Sequence, residues 1–517
     1  MKKTHLFLLI VILFSFVMTS YAQDFISLQG SNETKWADGR ETVSGSEQTK
    51  RYFENRMNLN LYYNNLRFGT RFTVLQPSEF GQNLSEQESL EKRFLEYQDP
   101  DADLKIRIGD FYTVWGRGLT LALFEDITQG FDSGLDGIMV SGGFSNIEIE
   151  AIAGRSNANF LGLVRQAQVN GAHIGGQLPL NMGFGLQGVL VTPSEDVSSY
   201  EENRTWGGYW NYNGSNLSLW AEHAKEYISG DDDEYDATYV SASTNVGSIG
   251  ILLDYKRYRY KMHGNVAGGA GSQYAQSVGI LPFHSAPIVQ REFTSPLFAK
   301  HPHIVRYDDE VGLQLELTYS PFDWGSFVLS TAQSSSIGTD ELFIPSLDEE
   351  NSPYRELFLE MNAYPSPTWY MIGWIGMSED LVFVNEESVR ARVSWNQRKV
   401  LGTTQEFSIS DDWSVKASAE AAAVENIHND TNYMDALLIL GLNWRTQYSF
   451  AATLETTSDD AEDTSEWFKI DARAFIANKH ELLVTYGKER GGLVCTSGKC
   501  RLVTPFDGVK VTWTSLF

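Results

Sequence analysis

From Val311 to Tyr319 the odd positions read Val311, Leu313, Leu315, Leu317 and Tyr319, while the even ones read Gly312, Gln314, Glu316 and Thr318. Successive side chains of an extended chain point to opposite faces, so this alternation predicts a strand with one apolar and one polar face. It recurs at Met57, Leu59, Leu61 and Tyr63 against Arg56, Asn58 and Asn60, and at Val389, Ala391, Val393 and Trp395 against Arg390, Arg392 and Ser394. A fourth instance sets Ile470, Ala472, Ala474 and Ile476 against Asp471 and Arg473. Short turns at Asn64-Asn65, Asn213-Gly214, Pro321-Phe322-Asp323, Asp411-Asp412 and Asn478-Lys479 alternate with longer polar stretches near 77–88, 113–132, 193–202, 257–308, 332–367 and 488–505.

Two architectures produce such strands: a secreted sandwich or propeller, and a transmembrane barrel whose apolar face meets lipid. The last strand separates them. Val509, Val511, Trp513 and Phe517 share one parity, opposite Lys510, Thr512 and Thr514. An alternating strand closed by an aromatic resembles the signature that barrel assembly machinery reads in bacterial outer-membrane proteins, which makes Phe517 the assembly signal. The N-terminus agrees. Lys2 and Lys3 precede an apolar run from Leu6 to Met18 and small residues at Ser20 and Ala22, the layout of a signal peptide over 1–22 cut after Ala22. The run is too short for a membrane-spanning helix, which takes about 20 apolar residues.

The expectation is therefore an all-β protein. Residues 23–517 form a transmembrane antiparallel up-and-down β-barrel in the bacterial outer membrane, with long loops outside and short turns on the periplasmic side. Counting hairpins gives about 24 strands, in a range of roughly 18 to 26. Alternation begins near Phe25, which leaves no residues for a plug domain before the barrel and disfavours a TonB-dependent receptor.

Charge adds a second layer. The chain carries 67 acidic and 40 basic residues, a net charge of −27, which argues against nucleic acid as a partner. Five proposed outer loops, 77–88, 193–205, 226–236, 340–356 and 455–466, together carry −23, so the acidity is expected at the outer rim. The inward parity is mixed: Arg56, Arg67, Arg71, Lys105, Arg107, Arg390 and Arg392 alternate with carboxylates such as Glu54, Glu148, Glu150 and Glu316. Such cations either balance interior carboxylates or line a path for an anionic solute.

Several motifs bear on chemistry. Gly116-Arg117-Gly118, followed by Glu125, Asp126 and Asp132, suits a loop folded into the lumen, with Arg117 facing one of those acids; the same residues also fit a turn locked by an ion pair. Cys495 and Cys500 flank a four-residue Gly-containing turn and read as a hairpin disulfide. Four histidines, 263, 284, 301 and 303, share one long loop, which their composition explains without a metal; no metal site or cofactor is expected. Neither a Gly-x-Ser-x-Gly elbow nor a His-Glu-x-x-His pair occurs, and an enzyme is not expected.

The runs Gly109-Asp110-Phe111-Tyr112 and Gly116-Arg117-Gly118-Leu119, the segment from His301 to Gly312, and Gly491 to Arg501 are similar to a domain-of-unknown-function family of outer-membrane barrels in Bacteroidota. The resemblance implies fold and location and carries no activity. Two readings of function stay open: a porin-like passive channel for hydrophilic solutes, and an interaction barrel whose acidic loops bind a surface or secretion partner. Either would contact outer-membrane lipid and lipopolysaccharide.

Overall fold

The structure, a computed structural model, describes residues 26–43, 45–80, 87–160, 163–193, 202–261, 283–338, 341–386, 389–496 and 499–517. The proposed signal peptide, 1–22, lies outside them. Twenty-four strands run antiparallel, each beside its neighbours in sequence, from Ile26–Val43 to Phe506–Leu516. These two end strands pair with each other from Ser31 opposite Leu516 to Glu41 opposite Phe506, which closes the barrel and leaves no sheet edge.

Local chemistry fixes the short-turn end. Asn64 takes a left-handed φ of 50° between Ser46–Tyr63 and Leu66–Leu75, as a two-residue hairpin requires. Rings collect at this end: Phe322 stacks on Trp324 with centroids 5.0 Å apart, and Trp413, Trp444 and Tyr448 stack in sequence. That is the aromatic girdle of a barrel at a membrane interface. Above it the outward positions are apolar and exposed, among them Phe68, Leu95, Ile108, Leu313, Ile375, Leu401 and Leu440. Inward partners on the same strands are polar: Gln314 is 5% exposed beside Leu313 at 37%.

The loop end departs from the sequence reading in two respects. Several connections there are short, and the strands lengthen instead; Trp369–Glu386 has 18 residues and Val389–Ser408 has 20, against the 9–11 or so that cross a bilayer. The stretch expected as loop through 367 holds a strand, Tyr354–Ser366. Its inward residues Tyr354 and Phe358, buried against a loop, alternate with buried Glu356 and Glu360 opposite exposed Leu357 and Leu359, so apolar side chains on the inward face interrupt the period-two signal.

Candidate functional site: a lumen crossed by two loops

The segment 112–134 turns into the barrel. Val114–Trp115 and Leu121–Ala122 make a small ribbon whose bend needs Gly116 and Gly118, at φ 58° and 86°. A Cβ on Gly116 would stand 2.6 Å from the Glu222 carboxylate, and one on Gly118 would stand 2.8 Å from the Ser285 carbonyl. Trp115, Leu121 and Leu123 pack with Phe111, Met139, Ile152, Val169 and Val191 of the inner wall, all nearly inaccessible.

Residues 283–309 extend from this ribbon to the other side. The Ala122 amide donates to the Phe283 carbonyl (2.7 Å), the Ser285 amide to Gly118 (3.1 Å), and the Tyr260 hydroxyl to Leu119 (2.7 Å). Further on, the Gln290 side-chain amide donates to Glu356 (3.0 Å), Thr294 to Glu360 (2.7 Å), and the Leu297 amide to Glu420 (3.2 Å), which also accepts from Ser295. A single helical turn, Pro296–Ala299, drives Leu297 and Phe298 among Phe358, Trp374, Val400, Ala422 and Leu437. Lys300 pairs with Glu455, and Arg398 donates to the His301 carbonyl (2.6 Å).

His303 ends the crossing in a buried ionic knot. Its ring nitrogens lie 3.4 Å from Asp380 and 3.3 Å from Glu310, the ring stacks on Tyr354, and Glu310 also holds Lys256 at 2.6 Å. Burial favours the neutral ring, but the two carboxylates overcome it and push His303 up to about 9. Its neighbour His301, buried and near Arg398, Arg490 and Lys300, is held down at about 3. Among the described residues no group of three or more His, Cys, Asp or Glu side chains is arranged to hold a metal ion.

The sequence-read residues distribute as follows. Glu125 pairs with Arg71 at 2.6 Å, Asp132 pairs with Lys92 and accepts from Tyr112 (3.2 Å), and Asp126 caps its own turn through Thr128 (2.9 Å). Arg117 meets none of these acids: its backbone amide donates to Glu222 (2.6 Å) and its guanidinium lies over Trp220, 5.0 Å from the ring centre. Arg56 pairs with Glu54 at 2.7 Å, while Arg67, Lys105 and Arg107 converge on Glu96. The side chains of Arg390 and Arg392 lie outside the described residues. So do those of Cys495 and Cys500, which stand opposite each other in the hairpin Gly492–Thr496/Lys499–Val503.

The acidic rim is revised in part: acids within 232–234, 348–350 and 460–463 are exposed, but others are not. Glu226, Glu356 and Glu455 are at most 9% exposed and face inward, and Asp236 pairs with Arg257 at 3.1 Å. Lys261, the Asp233 amide and the Tyr235 hydroxyl lower Asp231 to about 2. Sequence parity missed Arg490, whose side chain is 7% exposed and bridges Asp435, Glu455 and Glu462 at 3.0 Å each. No alternation marks it, since it follows the end of His480–Glu489.

The interior is thus filled unevenly. Apolar clusters and loops cover the wall from Leu104–Phe111 round to Thr431–Trp444. The remaining arc, Glu466–Ile476 to Phe506–Leu516 and Ile26–Val43 to Gln87–Asp99, presents charged pairs such as Lys469 with Glu489 (3.1 Å) and Lys35 with Glu79 (3.8 Å). Its only apolar cluster among the described residues is Ala37, Tyr52 and Phe506.

A closed barrel with a lipid-facing apolar band, an aromatic girdle and a polar, loop-crossed interior defines a transmembrane β-barrel of the bacterial outer-membrane type. The chain belongs to the family of unknown function DUF6029, which matches residues 1–517. No curated protein matches it. Its fold is similar to the E. coli P pilus tip assembly intermediate PapC-PapD-PapK-PapG, at 10% identity and a TM-score of 0.50 over 96% of this chain and 62% of that one. The siderophore receptor PirA from Pseudomonas aeruginosa is similar at 11% identity and a TM-score of 0.45, over 96% and 81% of the two chains.

Proposed function

We propose that this protein is a porin-like outer-membrane channel that passes hydrophilic solutes passively along the polar arc of a lumen narrowed by its own loops. The carrying observation is the uneven interior: two loops seal most of the wall with apolar contacts, and the uncovered arc is lined by charged side chains that are partly solvent-exposed. A polar bore beside a sealed one favours water and small polar solutes over apolar ones. Purified protein in planar bilayers should give discrete conductance steps, and a silent bilayer despite verified insertion would overturn the proposal.

This reading places the chain in the outer membrane after cleavage behind Ala22, with assembly through Phe517, lipid and lipopolysaccharide around the apolar band, and the long loops outside. It assigns no catalysis and no cofactor. We include a Cys495–Cys500 disulfide in the Gly492–Thr496/Lys499–Val503 hairpin, since directly opposed residues of an antiparallel pair bring their Cα atoms to about 4.5–5.5 Å, within bridging range. Mass spectrometry of protein from native membranes should find the two residues linked; two free thiols would remove the bridge. The rival reading, a closed barrel that docks a partner through acidic loops, draws on the exposed acids within 232–234, 348–350 and 460–463, although Glu226, Asp236 and Glu455 are taken up by partners on the barrel wall.

A further inference from the structure

The next inference rests on the channel reading and names the solute class. On the inner wall, Glu96 of Gln87–Asp99 stands opposite Arg67 on one side and Arg107 on the other. Its carboxylate, 7% exposed, meets three cations: Arg107 at 3.3 Å, Lys105 at 3.4 Å and Arg67 at 3.8 Å. Within 4 Å, three positive charges therefore share a single carboxylate. Elsewhere on this stretch of wall the cations have closer individual partners, Arg56 with Glu54, Arg71 with Glu125 and Lys92 with Asp132.

The excess charge is held in place and wetted. Phe94 lies beneath Arg107 (3.6 Å from its ring centre) and Arg67 (5.1 Å), so the guanidinium groups share an aromatic platform. Arg67 donates twice to the Asn60 side-chain oxygen, at 3.0 and 2.9 Å, and Arg107 donates to the Asp110 carbonyl at 2.8 Å. Arg67 and Lys105 nonetheless remain 35% and 36% exposed to the lumen. Lys105 also lines a cavity of about 410 Å³ together with Asp99, Asp103, Glu148 and Glu150, so the electropositive face is centred on Arg67 and Arg107 and ends at Lys105. On the other side Asn58 and Asn60 are neutral. An electropositive face on a polar path, carried by fixed guanidinium groups, suits bidentate contact with carboxylate or phosphate oxygens.

We propose that Arg67, Lys105 and Arg107 form an anion-binding station in the lumen that selects small solutes bearing carboxylate or phosphate groups. Reversal potentials in a KCl gradient should show that wild-type protein prefers chloride. Arg67→Gln combined with Lys105→Gln leaves Arg107 to neutralise Glu96, and should lower the chloride-to-potassium permeability ratio about 25-fold, a factor of about five for each of the two unit charges removed at 4 Å in water. Glu96→Gln should raise it. A potassium-preferring wild type, or a double variant with an unchanged ratio, overturns the station. Calorimetric titration of the detergent-folded barrel with citrate reads the site without current, and heat-modifiable migration confirms that each variant is folded. Citrate binding that the double variant loses, together with a silent bilayer, keeps the station and removes the channel. Conductance without chloride preference removes the station and keeps the channel.

Discussion

Phe517 and Gly30 exchange both backbone hydrogen bonds, the Gly30 amide donating to the Phe517 carbonyl at 2.8 Å and the Phe517 amide to the Gly30 carbonyl at 3.0 Å. The pair adds one more rung to the seam between Ile26–Val43 and Phe506–Leu516. It depends on glycine, because a Cβ there would lie 2.6 Å from the Phe517 ring. Gly30→Val should therefore push the ring off the seam, at about 1–3 kcal/mol for an overpacked contact. The expected readout is a lower temperature for loss of the compact, heat-modifiable species on gels, and an unshifted transition would show that the ring tolerates displacement.

Arg490 supports the loop crossing from the opposite wall. Its guanidinium neutralises Asp435, 2% exposed, and shares Glu455 with Lys300, so Arg490→Met strands a buried carboxylate. Breaking a buried pair from one side costs about 3–5 kcal/mol, while replacing both partners by apolar residues is close to neutral. Arg490→Met should make residues 283–309 sensitive to protease in intact vesicles, and Arg490→Met with Asp435→Leu should recover most of the protection.

The membrane-facing half of this protein was legible because lipid imposes a strict rule. Leu313 and Tyr319, or Leu61 and Tyr63, must be apolar, and polar Gln314 or Asn58 must then face inward. The same rule failed at Tyr354–Ser366, where the lumen side meets a loop instead of water. Turn residues such as Asn64 announced the short connections through their φ. The inward path of 112–134 was readable from Gly116 and Gly118, yet its partners were not. Whether Arg117 meets Asp132 or Trp220 depends on which wall the ribbon leans against, and that is set by Trp115 and Leu121 packing on Val169 and Val191. Net charge was legible in part: acids within 232–234, 348–350 and 460–463 are exposed at the loop end, but not all of the acidic runs are. Glu226 and Glu455 sit in acidic runs, but strand parity turns them inward onto cationic or polar partners.

His303 should give the crossing an alkaline limit. Asp380 and Glu310 hold the buried ring protonated up to about 9, above the 6.5 or so of a free imidazole. A raised pKa contributes stability that is complete below about pH 6.5 and is lost as pH climbs through about 9. Ser334, Tyr354 and Lys256, through Glu310, complete the surroundings and stay in place. Protease protection of 283–309 should fall between pH 7 and 10 or so in the wild type. His303→Gln should start lower and show a flatter profile over that interval; a wild-type profile already flat would mean that Lys256 and Arg398 alone fix this segment.

Shortening the crossing tests whether it limits the bore. Residues 286–299 link the Leu119 side to Glu356, Glu360 and Glu420 on the far wall, and they carry Leu297 and Phe298 into an apolar cluster. Replacing them with a short Gly-Ser linker removes those contacts while leaving every wall strand and the seam intact. A barrel of 24 strands has room for a wide aqueous channel once its filling is gone. Liposome swelling with sugars of graded size should then admit larger solutes, and faster by severalfold, than wild-type protein does. An unchanged size limit in a folded variant would place the constriction at the 112–134 ribbon, whose Trp115 and Leu121 would become the next residues to truncate.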